Sequence, residues 1–190
     1  IFQVIMNIEL EISNYFDRKT KLLKDTNHES IINAYKIIQE TIDSNNSIFT
    51  CGNGGSAHCA SHFVTDWSKM YLQLKNKKLK CFSLNDNLGV ITAYANDISF
   101  ESIYSEQLKS LSKKNDLLIL ISGSGNSKNL VEAANKAKEI GLSTLGILGF
   151  DGGILNKICD NVVLFPTNDM QLAEDMHLSF GHIIMKLICK

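Results

Sequence analysis

Cys51-Gly52-Asn53-Gly54-Gly55-Ser56 is the stretch from which the fold can be read. It follows a short apolar run, Ser47-Ile48-Phe49-Thr50, and precedes a segment with helical spacing that begins near Ser56. A strand, a glycine turn and a helix start make an anion site. Glycines let the backbone approach a ligand, and the first N–H groups of a helix have no partner within it. Those N–H groups and the helix dipole favour a phosphate, and Ser56 adds a hydroxyl donor. The spacing is neither GxxxxGK[ST] nor GxGxxG, so a nucleotide P-loop or dinucleotide fingerprint is not supported. Any tight βα turn can also hold glycines, so this loop alone leaves both readings open.

Five short apolar runs surround and follow it: Ile48–Cys51, Leu79–Leu84, Leu117–Ile121, Thr144–Leu148 and Val162–Phe165. Helical stretches lie between them. Uninterrupted apolar runs bounded by turns are the pattern of parallel strands buried on both faces. The alternation predicts right-handed crossovers and a doubly wound α/β sheet, with ligands at the carboxyl ends of the strands. A second loop, Ser122-Gly123-Ser124-Gly125-Asn126-Ser127, falls at such an end. It leads into a helix predicted over Asn129–Ile140 that stops at Gly141. Its serines and glycines offer hydroxyl and backbone donors but no base, which suits a phosphate monoester. Two such loops at equivalent strand ends favour phosphate binding over two chance turns.

The predicted helices add titratable groups. His58, His62 and Asp66 recur every fourth residue and so share one helix face. The last segment, Asp169 to Lys190, reads as one helix with an apolar stripe of Leu172, Met176, Phe180, Ile183, Ile184 and Leu187. Glu174, Asp175, His177 and His182 interrupt it. A histidine on such a face is expected to be a satisfied core residue. Glu174 and His182, two turns apart, can instead join His62 and Asp66 in a shell of two imidazoles and two carboxylates, a mixture suited to zinc. Asn85-Asp86-Asn87 and Tyr94-Ala95-Asn96-Asp97 can reach a ligand, although Asn and Asp by themselves favour caps and turns. Two helices are predicted before the first strand, over 6–24 and after Asn27 or Ser30 as cap. The first carries Ile8, Leu10, Ile12, Tyr15 and Phe16, and the pair can cover the sheet or meet another subunit.

Composition sets limits. The 190 residues fit one domain, with 1–45 as a helical N-terminal segment and 46–190 as the α/β sandwich. A formal net charge of -1 gives no basic field for nucleic acid. No apolar run is long enough to predict a membrane span. The opening residues 1–5 are too short for a signal peptide, and Met6 is an alternative start. Five scattered cysteines without a CxxC predict small core residues in a reducing compartment, hence a cytoplasmic protein.

The CGNGGS loop with His62, the Ser122-x-Ser124-Gly125-x-Ser127 loop and a last helix with Asp175-Met176-His177 and His182 together resemble the sugar isomerase (SIS) domain family. Within it the chain is most similar to the phosphoheptose isomerases, and the similarity extends over nearly its whole length. The resemblance implies a three-layer α/β/α sandwich on a five-stranded parallel sheet, assembled as a homotetramer with active sites at subunit interfaces. It implies an aldose–ketose isomerase that converts sedoheptulose 7-phosphate to D-glycero-D-manno-heptose 7-phosphate for surface polysaccharide. Substrate contacts are expected at Asn53, Gly54, Gly55, Ser56, Asp97, Ser122, Gly123, Ser124, Ser127 and Glu174. Catalytic roles are expected for Asp66 and His182, and zinc is expected on His62, Asp66, Glu174 and His182. Three positions depart from the family: Asp66 replaces a glutamate, Glu174 a glutamine and Gly123 a threonine. Some SIS proteins bind sugar phosphates or a replication initiator without isomerising anything, and others act on different ketose phosphates.

Overall fold

The computed structural model describes residues 2–190; Ile1 lies outside the described residues, so the reading of 1–5 as an upstream extension is described only in part. The chain opens with α1 (Phe2–Asp25) and α2 (His28–Asp43). Asn27, not Ser30, caps α2, its side-chain oxygen accepting from the backbone N–H groups of Glu29 and Ser30. Five strands follow: β1 (Ile48–Gly52), β2 (Cys81–Ser83), β3 (Leu117–Ser122), β4 (Ser143–Leu148) and β5 (Asn161–Leu164). The connecting helices are α3 (Gly55–Lys75), α4 (Leu88–Asp97), α5 (Ser105–Leu111), α6 (Lys128–Ile140) and α7 (Leu155–Ile158), with a 3-10 turn at Phe100–Ser102. The chain closes with α8 (Met170–Ile188). No described helix is long and apolar enough to cross a membrane.

All strand pairs are parallel and the order is β2-β1-β3-β4-β5. Each of the five predicted runs holds a strand, although β2 is shorter than its run. Every residue of β1 and β3 is buried, as expected for central strands covered on both faces. Alternate side chains feed two cores. Ile48, Ile119, Ile121, Ile147 and Val163 meet α2, α3 and α8, with Trp67, Phe63 and Phe180 as the bulk. Phe49, Cys51, Leu118, Leu120 and Leu148 meet the layer that contains α5 and α6. Cys51, Cys59 and Cys81 are buried, and Cys159 and Cys189 partly so.

The N-terminal helices divide their work. α2 lies on the sheet through Ile31, Ala34 and Ile38. α1 does not use its predicted apolar side in this way: Ile8, Leu10, Ile12 and Phe16 are all more than half exposed. What α1 packs inward is Leu22 and Tyr15, while Arg18 pairs with Asp169 and Lys19 with Asp175 on α8 at 2.9 and 2.8 Å. The apolar stripe was legible in the sequence, but the face that meets the rest of the chain is mostly polar.

Register places the site. Gly52 at the end of β1 lies opposite Ile121, one residue before the end of β3. The glycine loop and the serine loop therefore leave the sheet side by side.

Candidate active site

The two loops enclose a cavity of about 280 Å³. Every expected substrate residue except Asp97 lines it: Asn53, Gly54, Gly55 and Ser56 from the first loop, Ser122, Gly123, Ser124 and Ser127 from the second, and Glu174 from α8. Gly54 has φ +55 and stands at the start of α3. The first helical turn begins there, with Ala57 and His58 donating to its carbonyl. The N–H groups of Gly55 and Ser56 precede the first intrahelical bond and are the donors a phosphate needs. Ser127 begins α6 but makes no capping bond with its hydroxyl, which leaves that oxygen to a ligand. Ser122 is less free: its hydroxyl oxygen accepts from the Gly125 N–H at 3.0 Å and shapes the loop.

Two residues at this cavity carry information that sequence reasoning lacked. Met170, the first residue of α8, lines the cavity, and its thioether occupies the space that a side chain on Gly123 would need. The family's threonine hydroxyl is thus replaced by an apolar wall from another element. Nothing local to Gly123 signals this. Asn53 lines the cavity but gives most of its carboxamide to Asn129 on α6, through reciprocal hydrogen bonds of 2.9 and 2.8 Å.

A second cavity of about 370 Å³ lies on the other side of Gly55, lined by His58, Cys59, His62, Glu174 and Asp175 among others. Glu174 borders both cavities, and its carboxylate lies so close over Gly55 that a Cβ there would collide with it. Burial, and after it the Glu174 charge, push the Cys59 thiol up to about 12, so it stays protonated near neutral pH.

Beside this cavity His62, Asp66 and His182 converge. The two Nε2 atoms are 3.1 Å apart, and Asp66 Oδ2 lies 3.2 Å from His62 and 3.6 Å from His182. Packing between α3 and α8 sets this geometry through the neighbours of each residue. Phe63 and Trp67 stack at 5.1 Å, Trp67 donates to the Gly181 carbonyl at 2.9 Å, and a side chain on Gly181 would strike the Phe63 ring. The site residues are thus one step along the chain from the tightest helix contact.

Two imidazole nitrogens at 3.1 Å repel through their lone pairs unless a proton or a cation lies between them. Tetrahedral zinc with bonds of about 2.1 Å separates its donors by about 3.4 Å, close to the three distances found. The donor set fits such an ion and leaves a fourth position open. Glu174 is not part of the trio; it stands at the cavity wall with His62. His58 shares that wall and is exposed. Asp97 lines neither cavity: it ends α4 in solvent and accepts from the Asn96 side chain at 2.9 Å. Of the asparagines after β2, Asn87 caps α4 and Asn85 holds Gly52.

His177 is buried in the core, as expected, but it is not satisfied. Among the described residues neither ring nitrogen has a partner in good hydrogen-bonding geometry, and the Leu148 backbone gives only a weak polar contact. Burial pushes its pKa down to about 4, partly offset by the Leu148 backbone, so the ring is neutral near pH 7.

A parallel five-stranded sheet with a glycine loop and a serine loop at adjoining strand ends defines a class, and residues 13–149 match the sequence model of the SIS domain. The chain belongs to the SIS domain family. Among named relatives, phosphoheptose isomerase of Helicobacter pylori strain HPAG1 is 41% identical over 149 residues, covering 78% of this chain and 77% of the relative. Phosphoheptose isomerase of Clostridium acetobutylicum is 35% identical over 184 residues, covering 96% and 93%. The solved phosphoheptose isomerase of Neisseria gonorrhoeae superposes with a TM-score of 0.88 at 25% identity, over 95% of this chain and 98% of that one.

Proposed function

We propose that this chain is a phosphoheptose isomerase, an enzyme converting sedoheptulose 7-phosphate to D-glycero-D-manno-heptose 7-phosphate on the way to heptose-containing polysaccharide. The observation that carries the reading is the adjacency of a cradle rich in anion donors and the His62–Asp66–His182 trio, joined by Glu174. Relatives bearing that name, at 41% and 35% identity, support it.

The cradle holds the phosphate through the backbone of 54–56 and the hydroxyls of Ser56, Ser124 and Ser127. Isomerisation moves a proton from C1 to C2 of the ketose through an enediol. Asp66 takes the proton from C1 and returns it to C2. His182, when it is not ligating a metal, gives a proton to O2 and takes one from O1, so ligation and proton transfer alternate at this residue. Both imidazoles meet Asp66 through the same oxygen, Oδ2, so Oδ1 is left to act as the base. His62, Asp66 and His182 would hold a zinc ion, with Glu174 at the cavity wall as the further ligand the resemblance implies, and the ion would supply positive charge for the carbonyl oxygen. Glu174 in place of the family's neutral glutamine adds a negative charge that favours the cation. Residues 1–190 act as one cytoplasmic domain. The exposed apolar face of α1 supports a homotetramer, and a monomer in light scattering overturns that assembly.

The test is NMR of sedoheptulose 7-phosphate with the protein, with and without added zinc. Zinc-dependent conversion, with exchange of solvent deuterium into the product, is the expected result. Binding without conversion by zinc-loaded protein overturns the assignment and favours a sugar-phosphate-binding role.

A further inference from the structure

Behind the cradle lies a polar network that reaches its lining through Asn53. β2 ends at Ser83, so the last residue of β1, Gly52, has no strand partner on that side. The Asn85 side chain takes the strand's place: Gly52 N–H donates to its oxygen at 3.1 Å, and its Nδ2 donates back to the Gly52 carbonyl at 3.0 Å. Tyr104, buried among apolar residues, also donates to that carbonyl. One residue on, Asn53 meets Asn129 in a closed amide pair.

The pair has a chemical consequence. A carboxamide has one oxygen and two N–H donors. Asn53 gives one N–H to Asn129, and its oxygen faces both the Asn129 amide at 2.8 Å and the Tyr104 hydroxyl at 3.4 Å, so the group left over for a ligand is the second N–H. Asn129 is 2% exposed and sits in the first turn of α6, directly after the serine loop. It therefore links the loop after β1 to the loop after β3. We propose that Asn129 is a positioning residue. It turns the Asn53 carboxamide so that a donor, not an acceptor, faces the oxygen-rich sugar phosphate, and it sets the spacing of the two loops. This rests on the isomerase reading for its substrate, but the amide pair can be tested without turnover.

The experiment is a double-mutant cycle on the full chain with Asn129→Asp and Asn53→Ala, read by kcat and KM for sedoheptulose 7-phosphate. It is combined with NMR hydrogen exchange of the Asn53 side-chain amide. Asn129→Asp keeps the shape, places an oxygen against the Asn53 oxygen, and adds charge where the helix dipole tolerates it. Asn129→Ser, which removes the pair without a charge, is the second variant in case the first does not fold. The expected result is a KM raised about tenfold with kcat within about twofold, and no further loss when the change is made in Asn53→Ala. One Asn53 amide proton is expected to exchange slowly in the unmodified chain and fast in either Asn129 variant. Losses that multiply across the cycle, or Asn53 exchange unchanged by Asn129 substitution, overturn the proposal. Absence of turnover by the unmodified chain counts against the isomerase reading instead, and the exchange measurement still decides the role of Asn129.

Discussion

The phosphate cradle and the imidazole–carboxylate trio lie on either side of Glu174, yet they are built in opposite ways. The cradle grows out of the two most buried strands, and its shape is fixed by backbone, glycine and a hydrogen-bonded network beneath it. The trio stands on two helix faces with its side chains 30–46% exposed, held in place only from below by the α3–α8 contact. A site for a constant anion can be finished inside one sheet. A cluster of titratable side chains that works on a ligand needs solvent access for its protons, and here it keeps that access.

The sharpest way to break this contrast is at Asp66. Asp66→Asn removes the proposed base and is expected to cut kcat by about a thousandfold while phosphate binding persists. Isothermal titration with inorganic phosphate alongside the turnover assay separates the two; loss of both together would mean that the halves are not independent.

His177 tests the buried side. Its pKa of about 4 lies below the value of about 6.5 expected when unfolded, so the unfolded chain binds the extra proton between these values. The neutral ring therefore adds no pH-dependent penalty above about pH 6.5, and stability is lost as pH falls from there towards 4, by up to about 3 kcal/mol. His177→Leu is expected to flatten that part of the curve in chemical denaturation followed at pH 7 and pH 4.5. An unchanged slope would show that the ring finds a proton acceptor.

The smallest effect is expected at Ser124, where Ser124→Ala raises KM about tenfold and leaves kcat nearly unchanged. A fall in kcat instead would tie the cradle to the chemistry more tightly than the geometry suggests.

The parts of the molecule that were legible in the sequence are those fixed by local chemistry. The apolar runs gave the strands, Asn27 and Gly141 marked helix ends, and the glycine and serine loops marked the cradle. What stayed hidden depends on residues far apart in the chain. Met170 fills the space beside Gly123 from 47 positions away, and Asn129 meets Asn53 across 76. His177 has the apolar spacing of a core residue, and no pattern tells that its nitrogens lack partners. For α1 the stripe was visible, but whether a stripe faces its own core or another molecule is not a property of periodicity.

The strand order also bears on how the protein is made. β1 pairs with β3, and residues 53–116 lie between them. During synthesis the glycine loop leaves the ribosome well before the strand that supports it. Until residue 117 and its successors arrive, the loop has only the short β2 beside it and no serine loop to face. Non-local parallel pairing of this kind folds slowly and leaves apolar edges exposed meanwhile. A nascent chain arrested short of β3 is thus expected to be a client for chaperones and to show no affinity for phosphate, and that affinity should appear abruptly as β3 docks.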